Sequence, residues 1–164
     1  MNSNLSWKEV ELSINEELSW IKRNVNPYFK NNNFLDISDD ILYRIMAILI
    51  VSGRVKATEF SFDINTFLKL NEFENFDNKM HGSDWHDSVI KNLSIYFNDL
   101  GFDVKKDQPA LFYGYADILI LKNKRMIYIE VDTVSIFKLC INLLSMNDIC
   151  IINIKSDKII KFEL

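Results

Sequence analysis

The stretch that decides the fold is Gly114-Tyr115-Ala116-Asp117-Ile118-Leu119-Ile120-Leu121, then Lys122-Asn123-Lys124-Arg125, then Met126-Ile127-Tyr128-Ile129-Glu130-Val131-Asp132. Two apolar runs flank a polar tetrapeptide, which predicts an antiparallel pair of strands, 116–121 and 126–132, joined by a turn. Twelve residues separate Asp117 from Glu130, so such a pair returns position 130 to the side of position 117. Alternation along the second strand puts Met126, Tyr128, Glu130 and Asp132 on one face and Ile127, Ile129 and Val131 on the other. An acid at a strand end is ordinarily a solvated edge residue. Here the acids sit within apolar runs, where solvation is hard to arrange. Three converging carboxylates would repel one another and resist desolvation. A hard cation such as Mg²⁺, bound by carboxylate and water oxygens, removes that cost.

Outward from this pair, the second half of the chain is regular. Ser83 or Asp84 can cap a helix bearing Trp85, Val89, Leu93, Tyr96 and Leu100 on one face, ended by Gly101. Residues 102–106 are short and extended. Val134–Met146 reads as a helix with Ile136, Leu139, Cys140 and Leu143 as its buried stripe. Asp148–Ile154 is the near-continuous apolar run of a strand covered on both faces, and Lys158–Phe162 is a last strand. The order is α-β-β-β-α-β, with one further β. Residues 1–79 read as a helical N-terminal layer. Ser6-Trp7-Lys8-Glu9 has capping-box spacing ahead of an apolar face at Val10, Ile14, Leu18 and Ile21. A second helix from about Ser38 has apolar residues most of the way round, including Ile45 and Leu49, and is expected to be central. Residues 58–73 read as more helix. The division expected is 1–79 and 80–164, within one compact unit.

Composition bounds the function. The chain has 164 residues with 48% apolar and 26% charged, enough for a buried core and incompatible with general disorder. No apolar run approaches the roughly 20 residues that span a bilayer. The N-terminal residues lack the pattern of a signal peptide. Cys140 and Cys150 lie in apolar runs and read as buried thiols, so an intracellular, cytoplasmic protein is expected. The net charge of −4 supplies no global field that would attract phosphates, though a local basic groove remains compatible with it. Helix, Gly53 and Arg54-Val55-Lys56 faintly suggest helix-turn-helix, but residues 1–80 hold 9 basic and 12 acidic groups, and a packing layer is the plainer reading.

The pattern from Gly114 to Ile120, a short basic turn, and Tyr128-Ile129-Glu130-Val131-Asp132 resembles the PD-(D/E)xK nuclease superfamily, including restriction-endonuclease-like proteins and archaeal Holliday-junction resolvases. The likeness spans about residues 83–163. It implies a restriction-endonuclease-like αβββαβ core with a mixed sheet and a Mg²⁺- or Mn²⁺-dependent endonuclease that hydrolyses DNA. On this resemblance Asp117 and Glu130 are metal ligands and Val131 lends its backbone carbonyl. Position 132, the family's Lys, is Asp132 in this chain, and Ala116 replaces a proline that is often missing. Three readings of position 132 stand: Lys138 on the next helix supplies the cation, Asp132 binds a second metal or acts as base, or the site no longer cuts. The last corresponds to an inactive nuclease-fold module that binds nucleic acid or a protein. Many relatives cut two strands symmetrically, which implies a homodimer.

His86 lies in the first turn of a helix that in this family often adds an acid to the site. It could hold a metal-bound water or be an exposed polar residue. Lys105, Lys106, Lys122, Lys124 and Arg125 are candidates for a phosphate-binding rim, with Phe112, Tyr113 and Tyr115 to stack on bases; solvated turn residues and ordinary core aromatics are the alternative. No zinc-type Cys/His spacing, phosphate loop or nucleophile elbow occurs in the sequence.

Overall fold

The structure, a computed structural model, describes residues 39–70 and 83–164. The expected helix after Ser6, and His81, lie outside the described residues. The chain divides into two compact units, Met1–Arg54 and Val55–Leu164, so the boundary falls well before residue 80.

In the first unit, α1 spans Asp39–Val51, with Asp39 and Asp40 complementing the positive end of its dipole. Leu42, Ile45, Met46 and Leu49 are buried, Ile45 and Leu49 to 1% exposure. Their spacing is that of one helical face. Tyr43, Ile50 and Val51 are exposed, so the apolar surround that the sequence suggested narrows to a single stripe.

The second unit is mixed α/β. Its elements are β1 (Lys56–Ser61), the single turn α2 (Ile64–Phe67), α3 (Ser83–Asp99), β2 (Asp103–Lys105), β3 (Ile118–Lys122), β4 (Arg125–Val131), α4 (Ile136–Ser145), β5 (Cys150–Ile154) and β6 (Lys158–Glu163). The six strands form one sheet in the order β1-β6-β5-β4-β3-β2. Only β4 and β5 run parallel, joined through α4; the other neighbours are antiparallel. β1 corrects the sequence reading, which put helix from residue 58. Lys-Ala-Thr-Glu-Phe-Ser is exposed along nearly its whole length and pairs only with β6, so as an edge strand it shows no apolar alternation.

The β3–β4 hairpin turns at Asn123 and Lys124, both with positive φ (50° and 66°). That is the conformation whose twist matches its flanking strands. α3 packs against β2, β3 and β4. On that side of the sheet, Val89 and Leu93 meet Ile118, Ile120, Ile129, Val131 and Ile154 in one core. Tyr96 and Leu100, expected on the buried face, are exposed. Gly101, at φ 83°, ends the helix: its N–H donates to Asn98 O, and Phe102 N–H to Phe97 O. Alternation sends Leu119, Tyr128 and Glu130 to the other face, the side on which α4 lies through Lys138. Ser135 caps α4, its hydroxyl accepting from Lys138 N–H at 3.1 Å. Cys140 and Cys150 are buried thiols, and burial pushes the Cys140 thiol up to about 12.

Candidate active site

Register builds the site. Ile118 pairs with Ile129, and Asp117 N–H donates to Ile129 O at 3.1 Å, which sets Asp117 opposite Glu130 at one end of the hairpin. Opposed residues of an antiparallel pair share a face. Asp117 Oδ2 accepts from Val131 N–H at 2.8 Å and lies 3.3 Å from His86 Nε2. His86 Nδ1 lies 3.4 Å from Asp87 Oδ1. Whichever ring nitrogen carries the proton, it faces a carboxylate. The α3 N-terminus thus delivers His86 to Asp117.

Glu130 is buried to 5% exposure. The Lys138 ammonium approaches its Oε1 to 2.5 Å. At that distance the ammonium is the charge-assisted partner of Oε1. Burial holds the Glu130 carboxyl above its ordinary value. Lys138 pulls it down, Asp117 adds to the rise, and His86 opposes it. Lys138 Nζ also donates to Tyr115 O at 2.6 Å. A cation in the first turn of a helix opposes the macrodipole. Glu130 and the Tyr115 carbonyl, not the helix, explain this lysine.

Two asparagines that sequence reasoning passed over hold the surroundings. Asn142, fully buried, accepts from Tyr113 N–H at 2.9 Å and donates to Tyr113 O at 3.0 Å and Lys138 O at 2.8 Å. It docks the loop before β3 onto α4. Asn153, opposite Glu130 on β5, donates to Glu130 O at 3.2 Å and Asp132 O at 2.7 Å. Burial of an asparagine in an apolar run is their sequence signal, since such an amide needs partners.

The strand alternation that put Asp132 on the face of Glu130 ends one residue short of it. β4 ends at Val131 and Asp132 turns left-handed, φ 70°, so strand alternation no longer directs its side chain. The charges acting on Glu130 are those of Lys138, Asp117 and His86. Among the described residues, no three His, Cys, Asp or Glu side chains group closely enough to hold a metal ion.

The five basic candidates separate. Lys122, Lys124 and Arg125 stand at the hairpin turn, about 17 Å or more from Asp117 at 3.3–3.4 Å per residue. Lys122 lies over the Phe102 ring at 5.2 Å, and Arg125 binds Glu163 at 2.8 Å. These three stand at the opposite end of the hairpin from Asp117 and Glu130. Lys105 pairs with Leu119, two residues from Asp117 and one strand over, and Lys106 follows; both are exposed. Comparison of the chain with family models, curated proteins and solved structures finds no match.

Proposed function

We propose that Val55–Leu164 is a restriction-endonuclease-like unit whose site hydrolyses phosphodiester bonds in DNA with Mg²⁺ or Mn²⁺. One observation carries the reading: Lys138 reaches from α4 to the carboxylate of Glu130, opposite Asp117. A cation beside the second acid is what the PD-(D/E)xK pattern calls for, and Lys138 supplies it where position 132 does not. The order α3-β2-β3-β4-α4-β5 also supports that core.

The donor set suits a hard cation. Asp117, Glu130 and the Val131 carbonyl are all oxygen donors. Mg²⁺ needs only one or two carboxylates, the rest of its shell being water and phosphate. When bound, the ion would offset phosphoryl charge and make a water more acidic. The chain's own groups act around it. Lys138, held by Tyr115 O, presents a fixed ammonium to negative charge growing beside Glu130. His86 stands at Asp117 Oδ2, where it can hold or accept a proton. Asn153 fixes the backbone from Glu130 to Asp132, and with it the Val131 carbonyl.

Plasmid nicking with Mg²⁺ and Mn²⁺ tests this. Wild-type protein should cut, Asp117→Asn should not, and Lys138→Ala should be slower by roughly 10²–10³-fold. Wild-type protein that binds Mg²⁺ yet cuts no DNA form, with or without Asp132→Lys, overturns the reading in favour of a non-catalytic binding module.

A further inference from the structure

The loop between β2 and β3 combines a hydrogen-bonded backbone with projecting rings. Leu111 N–H donates to Gly114 O at 3.0 Å and Ala116 N–H to Pro109 O at 2.9 Å, while Ala110 bridges Tyr115. Gly114 turns the chain at φ 75°. Asn142 takes both polar groups of Tyr113, and Lys138 takes the Tyr115 carbonyl. Yet Phe112 is 56% and Tyr115 60% exposed. Aromatic rings on an already ordered backbone bind at low entropic cost.

We infer that loop 109–116 is a stacking platform for an unpaired nucleobase, selecting single-stranded or frayed DNA for the site at Lys138 and Glu130. The inference rests on the phosphodiester reading and names the substrate class that reading leaves open. Tyr115 belongs to both parts: its carbonyl holds the Lys138 ammonium and its ring projects outward. Lys105 and Lys106 lead into the loop, putting cations and rings in one segment. In a duplex the base faces are already stacked, so exposed rings select a strand whose bases are free. With a net charge of −4, long-range attraction contributes little and stacking must carry the affinity.

The experiment is fluorescence anisotropy of the full chain with a fluorescein-labelled oligothymidine and a duplex of equal length, both in EDTA. The single strand should bind more tightly. Phe112→Ala and Tyr115→Ala should each weaken it by roughly 5- to 100-fold, as loss of base–aromatic stacking does, whereas Tyr115→Trp should retain binding. Log affinity against log salt should have a slope no steeper than about −2, since Lys105, Lys106 and Lys138 can neutralise few phosphates. If the alanine variants melt early, Phe112→Leu and Tyr115→Leu keep apolar bulk while removing the ring. Wild-type affinity in ring-less variants that fold, or a duplex bound as tightly as the single strand, overturns the platform. Ring-dependent binding without cleavage under Mg²⁺ or Mn²⁺ removes the hydrolase reading and leaves the platform. Single-strand cleavage at the wild-type rate by Tyr115→Ala removes the platform and leaves the hydrolase.

Discussion

The two ends of the β3–β4 hairpin carry similar numbers of charges and treat them in opposite ways. At the turn, Lys122, Lys124 and Arg125 are exposed, and their partners, the Phe102 ring and Glu163, lie at the surface. At the other end, Glu130 is buried and tied to Lys138, with Asp117 and His86 close enough to shift its proton affinity. Exposed ion pairs contribute little because water solvates their members almost as well apart. Buried pairs are costly to assemble and more costly to break. A fold that maintains the second kind of end gives up stability that apolar residues could have supplied, which is the expected signature of a working site.

The comparison breaks most visibly if its two ion pairs prove equivalent. Lys138→Ala should destabilise the protein by about 3–5 kcal/mol, the cost of stranding a buried carboxylate, and Arg125→Ala by less than about 1 kcal/mol. Urea denaturation of both variants checks this, and matching midpoints would remove the distinction. Next in size is Asn142→Ala. It should cost about 1–3 kcal/mol through buried backbone groups left without partners, with faster hydrogen exchange at the Tyr113 amide. At the turn the expected effect is smaller and reversed. Lys124→Gly relieves a side chain held at φ 66°, where glycine is readily accommodated, and should stabilise by about 0.5–1 kcal/mol in thermal unfolding.

The finest test concerns sign rather than size. Glu163 is held below its ordinary value, first by Lys161 and then by Arg125. It binds fewer protons folded than unfolded, so its contribution is present above about pH 4.5 and fades as pH falls through its folded value. Glu130 is raised, so the folded state binds the extra proton. Stability from this group therefore falls as pH rises from about 4.5 through the folded value. Denaturation in EDTA across pH should lose the first slope in Glu163→Gln and the second in Glu130→Gln. Slopes of one sign from both groups would contradict the contrast.

What was legible in the sequence is what periodicity and register encode. Alternation and a polar turn between apolar runs located the hairpin, and with it the pairing of Asp117 and Glu130. A helical stripe ended by glycine located α3, and the spacing beyond Glu130 pointed to Lys138. β1 was illegible because an exposed edge strand needs no apolar alternation. Asp132 lies one residue past the strand, in a left-handed turn that Asn153 binds, where alternation does not set a side chain's direction. Lys122, Lys124 and Arg125 are near the acids in sequence, while an antiparallel pair sends its turn and its open end in opposite directions. Asn142 was hidden because its role depends on a loop distant in sequence.

The left-handed pair at Asn123 and Lys124 also makes the turn a practical handle. It is exposed, closed by its own backbone geometry, and separated from Glu130 by the length of a strand. A fluorophore or surface tether attached there would ride on a rigid two-stranded lever anchored in the core. It would report movements at the far end, where Asp117 and Glu130 lie, from a strand's length away, so the chain offers an attachment point for single-molecule work.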